Sequence, residues 1–375
     1  MIHRFKNIWM GLTGWCEKMS VGSEYITMLY GAGGSVMHDF IKKYVLRFFG
    51  DLGGSGLEVS LKDLDDAAVV NGVVLKSDSH VVKPIFFPGG DIGRLAVSGT
   101  VNDIAVMGAE PVALACGLIL EEGLAFRDLE RILNSMRETC IEAGVSIVTG
   151  DTKVVEKGSL GGCVINTSGI GVETEALRRN ISVVKRFRAD FNGRWLLDSN
   201  LRAGDKIIVS GTIGDHGIAI LSAQEGLNFG GDVKSDVRPL NKMIRRLLCE
   251  VGGVVAMKDP TRGGLADSLN EFSEKSRIGI IIYEDKIPIK EPVKAACEML
   301  GLDPLEIGNE GKVVIGVVRE KAEEALELLR GTEEGRDAAI IGEVTDKFIG
   351  VAMETVIGGK RIIPRPIGDP VPRIC

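Results

Sequence analysis

The sequence lacks the long apolar stretches that target a chain to or through a membrane. No segment approaches about 18 uncharged apolar residues, the length that a transmembrane helix needs. Charged residues at positions 4, 6, 17 and 18 interrupt the N-terminus, where a secretory signal peptide requires a continuous apolar core. We therefore expect a cytoplasmic protein with no membrane partner.

Positive charge is not in excess. The chain has 45 Lys and Arg against 52 Asp and Glu, which gives a net charge of -7. Proteins that bind a nucleic-acid backbone need clustered positive charge. The composition therefore disfavours a nucleic-acid partner.

Two common cysteine and glycine motifs are missing. The 7 cysteines are scattered without a CxxC pair, which disfavours a zinc site or a disulfide framework. No GxxxxGK[ST] loop occurs, so a Walker-type nucleotide site is excluded.

Aromatic residues make up only 5%, whereas glycine occupies 49 positions without a collagen-like period. Such glycine usage predicts tight turns at which the backbone closely approaches a ligand, often a phosphate.

The remaining pattern is that of a two-domain α/β (α+β) protein. Short runs rich in valine and isoleucine alternate with amphipathic stretches, which predicts strands and helices in alternation. A length of 375 residues predicts two or three domains. We expect one domain at 26–175 and another at 203–350, because the polar and basic stretch 174–202 separates them.

Both ends of the chain differ from this pattern. Residues 1–25 show no periodicity and are interpreted as an N-terminal extension, with Met19 and Met28 as alternative starts. Four prolines fall within 360–375, so we predict a flexible, extended tail. Twelve such residues span on the order of 35 Å, which would let the final Cys375 reach a distant site.

Aspartates recur at or near predicted strand ends, beside small residues. A single such aspartate is more often a turn or cap residue. Asp91, which follows a Pro-Gly-Gly turn, is accordingly predicted to cap a helix. Several carboxylates that converge from separate strands would instead suit Mg²⁺ bridged to phosphate oxygens. The candidates are Asp65, Asp66, Asp78, Asp103, Asp151 and Asp259.

Three glycine-rich loops are candidates for a phosphate cradle. They are GAGG (31–34), GTIGDHG (211–217) and TRGG (261–264). In the third loop, Arg262 between Thr261 and Gly263 supplies a planar cation suited to nucleotide phosphates. His216 in the second loop is as consistent with a capping or packing role as with a ligand.

Further candidates supply a cation, a base and a nucleophile. Thr152 and Lys153 follow Asp151 in GDTK, and Glu310 lies in GNEGK. Cys375 ends the proline-rich tail; the alternatives are a leftover thiol and a mobile thiol that carries a covalent group. Other cysteines, such as Cys116 and Cys163, lie in apolar runs and are expected to be buried.

These motifs together resemble the HypE family of hydrogenase maturation factors, in the PurM-like (AIR synthetase-related) superfamily. The resemblance covers about residue 26 to the end. Most motifs are shared loosely with AIR synthetase and selenophosphate synthetase, whereas the ending PRIC is typical of HypE. The departures are the extension and the basic stretch 177–197, which resembles an insertion. The matching motifs are GAGG, LDDAAVV, SDSHVVKPIFFPGGDIGRLAVSGTVNDIAVMGAEP, GDTKVV, SGTIGDHG, KDPTRGG, GNEGK and PRIC.

The resemblance implies a PurM-like two-domain fold whose N-terminal domain forms a homodimer through its sheet, with ATP near the dimer and domain junction. It also implies a reaction. A carbamoyltransferase, HypF, loads a carbamoyl group onto the terminal cysteine, and the protein dehydrates that group to a nitrile at the expense of ATP. The cyanide then passes to iron in a HypC-HypD scaffold of the [NiFe] hydrogenase centre.

The resemblance also implies a role for each candidate residue in this reaction. Cys375 carries the substrate, Glu310 removes protons from the amide nitrogen, and Lys153 orients the group or stabilises an oxyanion. The expected Mg²⁺ ligands are Asp66, Asp78, Asp103 and Asp259, with Asp65 as the alternative to Asp66. The expected ATP contacts add Asp65, Asp151, Thr152, Thr261, Arg262 and Gly263.

Two other functions compete with this one. The first is a PurM-type kinase or synthetase, similar to selenophosphate or AIR synthetase, with an incidental tail. The second is a non-catalytic carrier that shuttles a group on its terminal thiol, against which the clustered aspartates argue. Magnesium-dependent ATP binding separates an enzyme from a pure carrier.

Overall fold

The computed structural model describes residues 25–227, 233–368 and 370–371. Its strands form two large sheets covered by helices, which confirms the predicted mixed α/β class. The predicted extension, apart from Tyr25, and Cys375 lie outside the described residues. Within the described ranges, no helix has the length and apolar character needed to cross a bilayer.

Strands and helices are numbered in chain order. The strands are β1 (Leu57–Val59), β2 (Ala68–Val70), β3 (Val73–His80), β4 (Phe86–Phe87), β5 (Gly90–Asp91), β6 (Glu110–Glu121), β7 (Ser146–Val155), β8 (Cys163–Val172), β9 (Lys206–Val209), β10 (Val254–Lys258), β11 (Gly279–Tyr283), β12 (Val314–Val317), β13 (Ala339–Thr345), β14 (Gly350–Glu354) and β15 (Lys360–Ile363). The helices are α1 (Gly34–Phe40), α2 (Leu46–Phe49), α3 (Ile92–Val106), α4 (Phe126–Ala143), α5 (Glu175–Phe187), α6 (Asp215–Glu225), α7 (Asn241–Arg246), α8 (Gly264–Ser276), α9 (Glu291–Leu300) and α10 (Ala322–Arg330).

The first sheet has the strand order β1-β2-β3-β8-β6-β7. Its neighbours are antiparallel except β6 and β7, which run parallel. Helix α3 packs on β3 and β8, and α4 packs on α3. All residues of α3 except Arg94 are buried, so the helix lies inside the protein rather than on its surface.

Asp91 begins α3 as its N-cap. Its Oδ1 accepts hydrogen bonds from the backbone N–H groups of Gly93 at 2.8 Å and Arg94 at 3.1 Å. These bonds satisfy donors that lack partners in the first turn of a helix. The predicted capping role of Asp91 is confirmed.

The second sheet has the order β10-β12-β9-β13-β11-β14-β15, with β11 and β14 parallel. Every residue of β10 and β12 is buried, as expected for strands covered on both faces. One hydrophobic cluster includes residues of α3, α4, α6 and α9. The two halves of the chain therefore share a packed interior.

The basic stretch near the predicted boundary folds against the second half. Asn180 of α5 accepts a hydrogen bond from the backbone N–H of Val254 at 2.8 Å and donates one to its carbonyl oxygen, also at 2.8 Å. Leu177 and Val184 of the same helix are buried in the core cluster of the second sheet. Helix α5, within this stretch, is therefore bonded to Val254, the first residue of β10.

Strand β7 forms one edge of the first sheet. Its first nine residues are exposed, including Val148 at 66% and Val154 at 69%. An exposed edge strand presents unpaired backbone groups to any strand that approaches it.

The proline-rich tail is held against the body over its first residues. It begins with the edge strand β15, which pairs with β14. Val371 is 1% exposed and belongs to the same hydrophobic cluster as parts of α3 and α9. The described part of the tail is thus packed rather than free.

Candidate active site

A cavity of about 390 Å³ lies between the N-terminal segment, the first sheet and the start of α8. Gly33, Gly34 and His38 line it from one side, while Lys258 and Glu271 line it from another. The GAGG loop is therefore part of the wall. Its close approach requires glycine, because a Cβ on Gly33 would lie 2.8 Å from the Cβ of Arg262.

A smaller cavity of about 100 Å³ adjoins the first. Asp78, His80, Asp103 and Glu310 line only this smaller cavity. The residues that line both cavities are Asp66, Lys76, Asp259, Thr261 and Arg262. The shared side chains form the passage between a larger and a smaller chamber.

Strand β3 supplies three polar side chains to the smaller cavity. Lys76, Asp78 and His80 occupy alternate positions, and alternate residues of a strand project from the same face. Asp103 approaches from α3, which packs on that strand. Gly99 permits the close packing, since a Cβ there would lie 2.8 Å from Cε1 of His80.

Asp66, Asp103 and Asp259 form a carboxylate cluster. One oxygen from each lies within 4.8 Å of the others. Lys258 Nζ lies 2.8 Å from Asp66 Oδ1, and Lys76 Nζ lies 2.6 Å from Asp103 Oδ2. Asp66 Oδ2 is buried and has no hydrogen-bond partner among the described residues. An oxygen-rich cluster with an unused acceptor fits a hard divalent cation.

Burial dominates the electrostatics of this cluster. It raises the pKa of Asp259 to about 8, with the Asp66 carboxylate as the next cause. Burial also raises the pKa of Asp103 well above its usual range. Without a cation Asp259 holds a proton near neutral pH, and a bound cation would displace it.

Glu310 lies in a loop that other parts of the chain hold in place. Asn102 donates to its backbone oxygen at 3.2 Å, and Asn309 accepts from the backbone N–H of Gly214 at 2.7 Å. Gly311 must be glycine, because a Cβ there would lie 1.9 Å from the carbonyl oxygen of Asp236. The glycine-rich loop 211–217 thus supports the loop of Glu310; none of its residues lines either cavity.

Glu310 and His80 are the two groups of the smaller cavity that suggest proton transfer. Glu310 is 2% exposed, and burial followed by the charge of Asp78 raises its pKa well above the usual value. Burial lowers the pKa of His80 to about 4, so its imidazole is neutral at neutral pH and is a weak base. Its Nε2 lies 3.9 Å from Asp78 Oδ2.

A buried ionic network surrounds the larger cavity. Lys258 Nζ lies within 3.2 Å of carboxylate oxygens of Asp66, Asp198 and Glu271. Lys275 Nζ lies 2.7 Å from the same Asp198. Burial alone would lower the pKa of Lys258, but its carboxylate partners raise it well above the usual value.

The structure brings most of the predicted site residues together. Asp65 lines the larger cavity, and Asp78 lines the smaller one beside the carboxylate cluster. Gly263 caps α8 with a φ of 77° and lines neither cavity. His216 is buried, and its Nδ1 lies 2.7 Å from Ser235 Oγ, in a packing role outside both cavities. Cys116 and Cys163 are buried as expected.

Three predicted residues lie apart from the rest. Asp151, Thr152 and Lys153 belong to the exposed edge strand β7 and line neither cavity. Lys153 Nζ lies 3.3 Å from Asp151 Oδ2, and both side chains are about 70% exposed. Within one copy of the chain they do not meet the carboxylate cluster.

Sequence reasoning missed several residues of the site. Lys76 and His80 had a signal, since they alternate with Asp78 along one strand. Lys258 had a weaker sequence signal, since it directly precedes Asp259. Arg365 had none, because its partners lie about 100 positions earlier in the chain.

Comparisons with known proteins agree with this architecture. Residues 64–172 match the family model of the AIR synthase related protein, N-terminal domain, and residues 202–353 match that of its C-terminal domain. The chain is 44% identical to carbamoyl dehydratase HypE of Azotobacter vinelandii over 360 residues, which cover 96% of this chain and 100% of that protein.

Solved structures give the same relationship. A hydrogenase maturation protein HypE in complex with ATP is 42% identical, with a TM-score of 0.74, and the match covers 94% of this chain and 100% of that one. A HypE chain from a HypE-HypF complex is 46% identical, with a TM-score of 0.77, and the match covers 87% and 99%. The chain therefore belongs to the HypE family of carbamoyl dehydratases, within the AIR synthase related proteins.

Proposed function

We propose that this chain binds ATP in the larger cavity and, in the smaller one, dehydrates the carbamoyl group carried by its own Cys375. The product is an S-bound nitrile that supplies cyanide for the iron of a [NiFe] hydrogenase. The observation that carries the proposal is the pair of adjoining cavities, one beside ionic nucleotide-binding side chains and the other ending at Glu310. The alternative of a small-molecule kinase or synthetase is not favoured, since the HypE relatives match over nearly the whole chain.

The reaction needs an activated oxygen. The amide oxygen of R–S–CO–NH₂ is a poor leaving group, so it first takes the γ-phosphoryl group of ATP, which releases ADP. Phosphate then leaves with the C–O bond electrons while both N–H protons are removed, which forms R–S–C≡N. The sum is nitrile, ADP, phosphate and one proton.

The protein's contribution to phosphoryl transfer is positioning and charge neutralisation. Arg262 and Lys76 line both cavities and place positive charge where the transferred group would pass. Asp66, Asp103 and Asp259 would hold Mg²⁺, with Asp78 beside them, and the ion would supply further neutralisation of phosphate charge.

Glu310 is our candidate for the base that takes the amide protons. Its raised pKa makes its carboxylate a stronger base than that of an exposed glutamate. The neutral His80 beside it is a weaker base, because its pKa is about 4. The burial of both groups also keeps bulk water away from a carbamate that water would destroy.

A homodimer along β7 would reconcile the position of Lys153 with its predicted role. Among the described residues the strand is an exposed edge of the sheet, and it carries Asp151, Thr152 and Lys153 on its exposed surface. A second copy paired along this edge would bring these side chains to its own site, so we propose pairing through this edge. Sedimentation of the wild type and of Val148→Pro would test the proposed pairing through β7, because proline blocks strand pairing.

The proposed partners follow from the same reaction. HypF would load the carbamoyl group, and a solved HypE-HypF complex supports HypF as the partner. A HypC-HypD scaffold would receive the cyanide. We place these steps in the cytoplasm.

Mass spectrometry of the C-terminal peptide tests the proposed function. Cyanate adds to thiolates to give an S-carbamoyl group, so it loads Cys375 without any nucleotide. We expect the loaded peptide to lose one water only after Mg²⁺ and ATP are added. Cys375→Ala should abolish this product, whereas Cys249→Ala, at an exposed cysteine, should not change it. Water loss without ATP, or turnover on another cysteine, would end the proposal.

A further inference from the structure

Arg365 fastens the proline-rich tail to helix α8. Its Nε lies 2.7 Å from Asp267 Oδ1, its Nη2 lies 2.5 Å from Glu271 Oε1, and its Nη1 lies 3.2 Å from Glu274 Oε2. Positions separated by four and seven residues share one face of a helix. The guanidinium side chain, 11% exposed, therefore joins three carboxylates along successive turns of α8.

The backbone just after Arg365 is held from the opposite side. The N–H of Ser35 donates to the carbonyl oxygen of Pro366 at 2.8 Å, and that of Val36 donates to the carbonyl oxygen of Ile367 at 3.4 Å. Gly34 makes this approach possible, because a Cβ there would lie 2.3 Å from the Pro366 oxygen. The start of the tail is thus fixed between α8 and α1.

This attachment lies on the wall of the larger cavity. Arg365, Asp267 and Glu271 all line it. The other carboxylate oxygen of Glu271 lies 2.9 Å from Lys258 Nζ, and Lys258 also contacts Asp66 of the carboxylate cluster at 2.8 Å. One glutamate therefore connects the attachment of the tail to the residues that we propose bind the nucleotide and its cation.

We propose that Arg365 is a positioning residue for dehydration: it fixes the point from which the segment bearing Cys375 moves into the active site. This inference rests on the proposed function. When Val371 is released from its packing site, the segment between Ile367 and Cys375 is 8 residues long, whereas without the attachment by Arg365 it begins after Ile363 and is 12 residues long. Effective concentration falls as about the 3/2 power of segment length, so chain statistics alone give about a twofold loss. Arg365 also lines the larger cavity, so its removal should lower the dehydration rate further.

Two rates measured separately test the role of Arg365. Dehydration is followed as single-turnover loss of water from cyanate-loaded protein after addition of Mg²⁺ and ATP. Loading is followed as the rate at which HypF and carbamoyl phosphate modify Cys375 of unloaded protein. We expect Arg365→Gln to slow dehydration at least twofold while loading stays at or above the wild-type rate. Arg365→Lys keeps the positive charge but loses the guanidinium group that contacts three carboxylates at once. Its dehydration rate should therefore fall between that of the wild type and that of Arg365→Gln.

A matched control comes from the same strand-to-tail segment. Arg361 pairs with Asp303 at the surface, and its side chain is 50% exposed. Arg361→Gln should leave both rates at wild-type values. Wild-type dehydration in Arg365→Gln, or an equal fall of both rates, would overturn the positioning role, because a merely structural residue lowers both together.

Hydrogen exchange separates this inference from the proposed function. The amides of Ser35 and Val36 donate to the tail, so Arg365→Gln should speed their exchange while Arg361→Gln does not. Unchanged exchange in Arg365→Gln would show that the arginine does not hold the tail. If wild-type protein loses no water with ATP, the proposed function fails whatever the exchange data show, and the positioning role fails with it.

Discussion

Replacing Lys258 by methionine should destabilise the protein strongly. The Lys258 side chain is only 10% exposed and contacts carboxylates of Asp66, Asp198 and Glu271 at 2.8, 3.2 and 2.9 Å. Methionine fills a similar volume but leaves these carboxylates without their shared cation. Breaking a buried ion pair by removing one partner costs about 3–5 kcal/mol.

The expected change in melting temperature follows from this cost. About 2–4 °C is lost per kcal/mol in domains of this size, so Lys258→Met should melt about 6–20 °C below the wild type in calorimetry at pH 8 without nucleotide. Lys62→Met is the control. Lys62 pairs with Asp51 at 3.2 Å, but the side chains are 58% and 95% exposed. Removal of such a surface pair costs less than about 1 kcal/mol.

The pH dependence tests the electrostatic reasoning. Burial alone would raise the pKa of Glu271, but Lys258, Lys275 and Arg365 lower it to about 2. A depressed carboxyl pKa stabilises the fold above the unfolded pKa of about 4.5, and this stabilisation is lost as the pH falls towards 2. Removing Lys258 removes part of it, so the difference from wild type should be larger at pH 8 than at pH 4. A loss no greater than that of Lys62→Met, or one independent of pH, would refute the reasoning.

Three further outcomes are expected. Mg²⁺ binding should release protons at pH 7 and tighten as the pH rises through about 8, because burial raises the pKa of Asp259 to about 8. Titration calorimetry in buffers of different ionisation enthalpy would show this release of protons, and Asp259→Asn should reduce it. Gly311→Ala should slow dehydration and lower the melting temperature by about 2–12 °C, from about 1–3 kcal/mol of overpacking, since a Cβ at this position would lie 1.9 Å from the Asp236 carbonyl oxygen. Val371→Ala should weaken the packing of the tail by about 1–2 kcal/mol and speed HypF loading of Cys375, measured by mass spectrometry. An unchanged loading rate would contradict a role for Val371 in holding the tail against the body of the protein.

The sequence predicted the parts of the fold and site that depend on local patterns. The alternation of apolar runs with amphipathic stretches predicted the α/β class, and the turn before Asp91 predicted a helix cap. Aspartates near strand ends or on a helix, such as Asp66, Asp103 and Asp259, meet because the strands and α3 bring them to one place.

The same reasoning was less successful where an element continues past its apolar run. Asp151 and Lys153 follow the apolar run of β7 and were therefore assigned to a strand end. Strand β7 continues to Val155, so these side chains lie in mid-strand on an exposed edge. The ion pairs of Arg365 escaped prediction for another reason, because they depend on tertiary packing between distant segments.

The exposed edge strand has a consequence for how folded copies of the chain meet one another. Each folded copy displays β7 with apolar Val148 and Val154 on its surface. Such an edge invites uncontrolled cross-β stacking into fibrils. Charged residues within such a strand disfavour stacking, so we expect Asp151 and Lys153, in the middle of β7, to act as gatekeepers against it.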